Sequence, residues 1–225
     1  APCPAGQANG QEEMVCGGPA SFRHLVSGGC DFRARLWDLQ TWKCLGTLAG
    51  HTGMVWCAVA DWSCHRAASG SADGTVKVWD LETLRCLDTL KGHEASVQCL
   101  DVDWGSAQAL SGSYDRTLRL WHLRSRGCAA TLKGHTDAVR CLAAHWGRSR
   151  AVSGSGDGTL RLWDVKQAAC KGVLKGHEGA VQCVAVGWAA GRAVSGGVDR
   201  TLRLWHLGYL NCVATLAGDP DSGMR

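Results

Sequence analysis

Three polar residue types able to build a nucleophilic catalyst recur together along this chain. His51, Ser69 and Asp73 form one set, with Trp79 close behind. His93, Ser111, Asp115 and Trp121 form the next, and His135, Ser153, Asp157 and Trp163 the third. His177, Ser195, Asp199 and Trp205 complete the series. A serine nucleophile with a histidine base and an orienting aspartate uses the same three types. Such a site needs one copy, with an oxyanion hole and a substrate pocket. Four equivalent copies instead imply that each does the same structural job in its own unit. No catalytic residue is therefore assigned. The other histidines, His24, His65, His122, His145 and His206, show no metal-type spacing, and no paired CxxC occurs. No metal and no cofactor are expected, and no small-molecule substrate.

The elements that carry these residues repeat every 42 positions. Gly50-His51, Gly92-His93, Gly134-His135 and Gly176-His177 mark the starts, and a fifth copy decays to Gly218-Asp219. Between them runs Ser69-Gly70-Ser71-Ala72-Asp73-Gly74 and its relatives from Ser27, Ser111, Ser153 and Ser195, closing on Trp37, Trp79, Trp121, Trp163 or Trp205. The third unit reads as four short strands. Val97 to Val102 is an apolar run, Ala109 to Ser111 a second strand, Thr117 to Leu123 an alternating third and Cys128 to Leu132 a fourth. Trp104-Gly105-Ser106 and Ser113-Tyr114-Asp115-Arg116 supply turns. One such unit cannot cover its own faces, so stacking neighbours around an axis is the stable solution.

The Gly-His pair, the turn Asp and the terminal Trp-Asp resemble the WD-repeat (WD40) family over residues 27 to 219. Trp121-His122 and Trp205-His206 depart from the terminal dipeptide. The resemblance implies an all-β propeller of four-stranded antiparallel blades, five of them present, as a complete ring or as part of a seven-bladed one. It also implies that His, Ser, Asp and Trp form a hydrogen-bond chain inside each blade. The expected organisation is an extension over 1–13, a propeller over 14–219 and a tail over 220–225. Inner strands are expected near Met14, Met54, Ser96, Ala138 and Ala180. The first blade is degenerate, because Cys16-Gly17-Gly18-Pro19 is poor strand sequence.

The period absorbs several features that first look like chemistry. Cys44, Cys86, Cys128, Cys170 and Cys212 recur once per unit, as do Cys57, Cys99, Cys141 and Cys183. Both series are expected to pack as small apolar side chains in a reducing compartment, the cytoplasm or nucleus. Trp62, Trp104, Trp146 and Trp188 are expected to cap the apolar layer. Arg35, Lys77, Arg119, Arg161 and Arg203 alternate with apolar residues and are expected to be solvated. Net charge is +4 without a basic run, so nucleic acid is not an expected partner. No stretch of about 18 apolar residues suggests a membrane span. Ala1 to Gln11 has no leader-like apolar core, and the missing initiator Met points to a piece of a longer chain.

Function is expected where the units differ, since shared residues build the scaffold. Positions just after Gly-His and just before the turn Asp vary most in type. Met54, Trp56, Gln98, Tyr114, Arg140 and Gln182 are the candidate contacts for a protein or peptide partner, because aromatic and arginine side chains dominate interface energetics. The expected function is a non-catalytic interaction scaffold. Two finer alternatives are a substrate receptor of a cullin-type ubiquitin ligase and the targeting domain of a larger enzyme. The resemblance associates the first with Trp-Asp-x-Arg. Here Trp121-His122-Leu123-Arg124 lacks the Asp, and Trp163-Asp164-Val165-Lys166 replaces the Arg.

Overall fold

The computed structural model describes residues 23–218. The expected boundaries at 13/14 and 219/220, the strand near Met14 and the Cys16–Pro19 segment lie outside them. Among the described residues, nineteen strands build five antiparallel sheets. The first has three strands, β1 (His24–Gly28), β2 (Arg33–Asp38) and β3 (Lys43–Ala49). The next four sheets have four strands each, in simple meander order. They are β4 (Val55–Asp61) to β7 (Arg85–Lys91), β8 (Val97–Asp103) to β11 (Gly127–Lys133), β12 (Val139–His145) to β15 (Ala169–Lys175), and β16 (Val181–Gly187) to β19 (Asn211–Ala217). In the third sheet β9 (Gln108–Ser113) and β10 (Thr117–His122) fall where the alternation placed them. The inner strands begin at a valine, one residue later than the sequence suggested for the second to fifth blades.

Each sheet is a blade, and the blades are glued by wedged indoles. Trp163 of the fourth blade is fully buried against Leu110, Leu118 and Leu132 of the third. Trp121 fills the equivalent site on Ala68, Val76 and Leu90, and Trp205 that on Val152, Leu160 and Leu174. Burying side chains of this size contributes about 1.5–3 kcal/mol apiece. The series Trp62, Trp104, Trp146 and Trp188 lies half-buried against the same layers, as its period implied.

A second inter-blade contact lies at the rim. The turn residue of one blade meets the outer strand of the blade before it, and the two are matched in size or charge. Leu84 sits where a Cβ on Gly46 would be, and Leu210 where a Cβ on Gly172 would be. Ala168 and Ala130 pack against one cluster. Arg126 pairs with Asp88 at 2.6 Å.

The fifth blade's outer face breaks the pattern. Leu202 is 49% and Leu216 66% exposed, whereas Leu118, Leu132, Leu160 and Leu174 at equivalent positions are 0% exposed. Val194 and Cys183 are exposed there too. Among the described residues no strand pairing joins the fifth sheet to the first, and Trp37 at the first blade's leading edge is only half-buried.

Two expectations change. Cys57, Cys99 and Cys141 are buried core thiols, but Cys44, Cys86, Cys128 and Cys170 are exposed. They lie on outermost strands, which have no layer beyond them. The third-strand cations are not simply solvated. The guanidinium of Arg119 lies against Gly92 and that of Arg161 against Gly134, next to the indoles of Trp121 and Trp163. Their Nε atoms are buried. A side chain on the glycine of Gly-His would collide with this stack, which is a physical reason for glycine there.

Candidate functional site

The His, Ser, Asp and Trp sets are joined by hydrogen bonds inside the blades. His135, in the loop before β12, approaches Ser153 Oγ through Nε2 at 2.8 Å and Asp157 through Nδ1 at 2.9 Å. Trp163 donates its indole N–H to the same Ser153 oxygen at 2.7 Å. The other sets match: Ser69, Ser111 and Ser195 each stand 2.7–2.8 Å from His51, His93 and His177. Trp79, Trp121 and Trp205 donate to those serines. An indole nitrogen can only donate, so the serine oxygen accepts from it and gives its own proton to the histidine. A neutral histidine then donates from Nδ1 to the aspartate, and the buried polar side-chain atoms of each set are satisfied.

The electrostatics agree with a neutral ring. Burial pushes His51 and His135 below the usual histidine range, against the pull of Asp73 and Asp157. Burial would raise Asp73, but the Thr75 hydroxyl, the Thr52 amide and His51 outweigh it and bring it to about 2. Asp157 and Asp199 also fall to about 2, and Asp115 is lowered as well. The bonding order is that of a hydrolase triad, yet the chemistry is closed off. Ser69, Ser111, Ser153 and Ser195 are buried, and each oxygen is occupied by an indole donor. A nucleophile needs an approach path for a carbonyl carbon, and none of these has one.

The variable residues converge elsewhere, at the mouth of the central channel. Val139 pairs with Ser155 and Cys141 with Gly154, so Arg140 is the extra residue of a β-bulge. Trp56, Gln98 and Gln182 are the bulge residues of β4, β8 and β16. A bulge turns its side chain out of the regular alternation, which re-aims these four into the opening. Tyr114 arrives from the β9–β10 turn, held by its amide to Ser96 O at 2.9 Å. Met54, Trp56, Gln98, Tyr114, Arg140 and Gln182 thus line one hollow of about 210 Å³.

The first blade completes this hollow with Gly28, Gly29 and Cys30, and Val55 adds to the floor. Cys30 occupies the variable position just before the turn Asp of its blade, whereas the two glycines carried no signal of this role. Gly28 is required by close approach, since a Cβ there would meet the Val55 carbonyl. Within the hollow, Arg140 donates to Gln182 Oε1 at 3.3 Å and stacks 5.8 Å from the Tyr114 ring centre. Gln98 is held by Ser96 at 2.7 Å. Met54, Trp56 and Tyr114 are the exposed apolar surface, and among the described residues Arg140 is the one charged residue lining the space.

Another residue stands outside the repeat. Asp101 on β8 accepts from the Ala144 amide and from Trp146 Nε1, both at 3.0 Å, across the blade boundary. Burial pushes its carboxyl up, opposed by those two donors. The signal was available, because Val59, Ala143 and Ala185 occupy the equivalent inner-strand positions. Among the described residues no group of three His, Cys, Asp or Glu is placed to hold a metal. No helix of the described residues is long and apolar enough to cross a membrane.

Comparison with known proteins agrees with this architecture. The family described as WD domain, G-beta repeat matches over residues 42–80, 84–122, 126–164 and 168–206. Each match begins by the outer strand of one blade and ends on the third strand of the next, so the repeat straddles two sheets. The crystal structure of the WD40 beta propeller domain of Doa1 is similar, with a TM-score of 0.77 and 30% identity. That likeness covers 87% of this chain and 65% of the other, so this chain spans less than two thirds of that one. No curated protein matches. With four sequence repeats matched and the blades in register, the chain belongs to the WD-repeat family of β-propellers.

Proposed function

We propose that this propeller is a non-catalytic scaffold that holds a partner protein or peptide at its channel mouth. The observation that carries the reading is the convergence of six residues from variable positions on one hollow, while the repeated polar residues are sealed inside the blades. Propellers of this family generally mediate protein interactions. Exposed aromatic and thioether groups beside an arginine supply the side chains that carry most interface energy. The blade scaffold is rigid, so little ordering cost accompanies binding on its side. Bulge residues are well suited to specificity, because changing them leaves the ladder intact. Free thiols at Cys44, Cys86, Cys128 and Cys170, exposed on outer strands, support residence in a reducing compartment, the cytoplasm or nucleus.

The test is a triple substitution, Trp56→Ala, Tyr114→Ala and Arg140→Ala. Capture of partners from a cell extract should be lost, while the far-ultraviolet dichroism and unfolding midpoint stay near the parent values. Partner capture that survives the triple change would place binding on another face.

A further inference from the structure

We infer that the channel mouth recognises an acidic side chain of an extended peptide, with Arg140 as the carboxylate clamp. This rests on the reading of the mouth as a peptide site and adds the chemistry of what it selects. Arg140 is the only charged residue lining the hollow, and no carboxylate lies within ion-pair distance of it among the described residues. Its Nε is buried without a hydrogen-bond partner. The neighbouring Arg119 and Arg161 also carry a buried, unpartnered Nε, but their guanidinium groups rest on Gly92 and Gly134 in the blade walls.

The guanidinium is already oriented before any ligand arrives. Tyr114 stacks on one side at 5.8 Å and Gln182 Oε1 holds one Nη at 3.3 Å. A planar fork in a fixed position suits a carboxylate, which can accept two parallel bonds. Gln98 and Gln182 add neutral amides to the same space. One cation balances one carboxylate. A phosphate would bring roughly −1.5 to −2 charges and leave part of that unmatched. Nucleic acid would need several cations along a strand, and the hollow offers one. The apolar wall of Met54, Trp56 and Tyr114 spans two blades beside the arginine. That wall fits the residues flanking an acid in a peptide better than a free anion.

The experiment is a selection of random peptides displayed on phage against the 225-residue chain, followed by titration of a synthetic binder and its Asp→Asn or Glu→Gln twin. The expected binders carry Asp or Glu at one fixed position. Exchanging that acid for its amide should weaken binding about tenfold or more in the parent protein, the range for losing a charge-assisted bond. In Arg140→Gln the same exchange should change affinity less than about twofold, since the bond is already gone. Arg140→Lys, which keeps the charge and loses the fork, should fall between and serves if the glutamine variant folds poorly. Binders that lose affinity in Trp56→Ala but show no fixed acid overturn the clamp and leave the peptide site standing. Binders indifferent to both Trp56→Ala and Arg140→Gln overturn both readings. A phosphoserine at the fixed position that binds more than about tenfold tighter than Glu reassigns the arginine to phosphate and overturns the carboxylate.

Discussion

Removing one buried hydroxyl should loosen a blade by far more than an ordinary surface change. Ser153 Oγ is wholly buried and joins Trp163 Nε1 at 2.7 Å to His135 Nε2 at 2.8 Å. Ser153→Ala therefore strands two groups that water cannot reach, since the His135 ring is itself 0% exposed and Trp163 likewise. Each unsatisfied buried group costs about 1–3 kcal/mol, and partial relaxation trims the sum, so a loss of about 2–4 kcal/mol is expected. Ser27→Ala is the internal control. Trp37 donates to Ser27 at 2.8 Å, but both residues are only half-buried at the first blade's open edge. Water can replace that serine, so the expected cost is below about 1 kcal/mol. Urea unfolding followed by dichroism at matched slope reads both values. Equal losses for the two variants, or a loss under about 1 kcal/mol for Ser153→Ala, would refute the claim that burial of the serine relay holds the blade.

Two further outcomes follow from the same geometry. Leu118→Ala should cost about 2–5 kcal/mol because Leu118 is fully covered, whereas Leu202→Ala at the equivalent place should cost under about 1 kcal/mol because that face is open; equal costs in chemical denaturation would mean that the fifth blade's face is covered in solution. Stability should also fall on acidification in two stages. His51 and His135 have folded values below the usual 6.5, so their contribution is complete above pH 6.5 and is lost as pH falls below it. Asp73, Asp157 and Asp199, held at about 2 against an ordinary 3.8, contribute above pH 4 and lose that contribution between pH 4 and pH 2. A flat unfolding midpoint from pH 7 to pH 3 would contradict both assignments.

Most of the scaffold was legible because a repeat constrains every copy at once. A period of 42 residues located the strands, the turns and the recurring Ser153, His135, Asp157 and Trp163, and the family resemblance joined those four into a relay. It also separated shared residues from variable ones, which pointed to Met54, Trp56, Gln98, Tyr114, Arg140 and Gln182. It misjudged Cys44 and its equivalents, since residue type alone does not tell a core strand from a strand with nothing outside it. It likewise passed over Asp101, whose partners Ala144 and Trp146 belong to the next blade.

By itself, then, the sequence determined the unit: alternation set the strands, glycine and aspartate set the turns, and the period set four equivalent groups of His, Ser, Asp and Trp. Only the tertiary structure decided which side chains meet. A bulge at Arg140, invisible in residue type, turns it toward Tyr114 and Gln182 instead of along the strand. The matched rim pairs, Gly46 with Leu84 and Asp88 with Arg126, exist only once blades are stacked. The open face at Leu202 and Leu216 is likewise a property of the stack, because an apolar residue is buried or bare according to what packs against it.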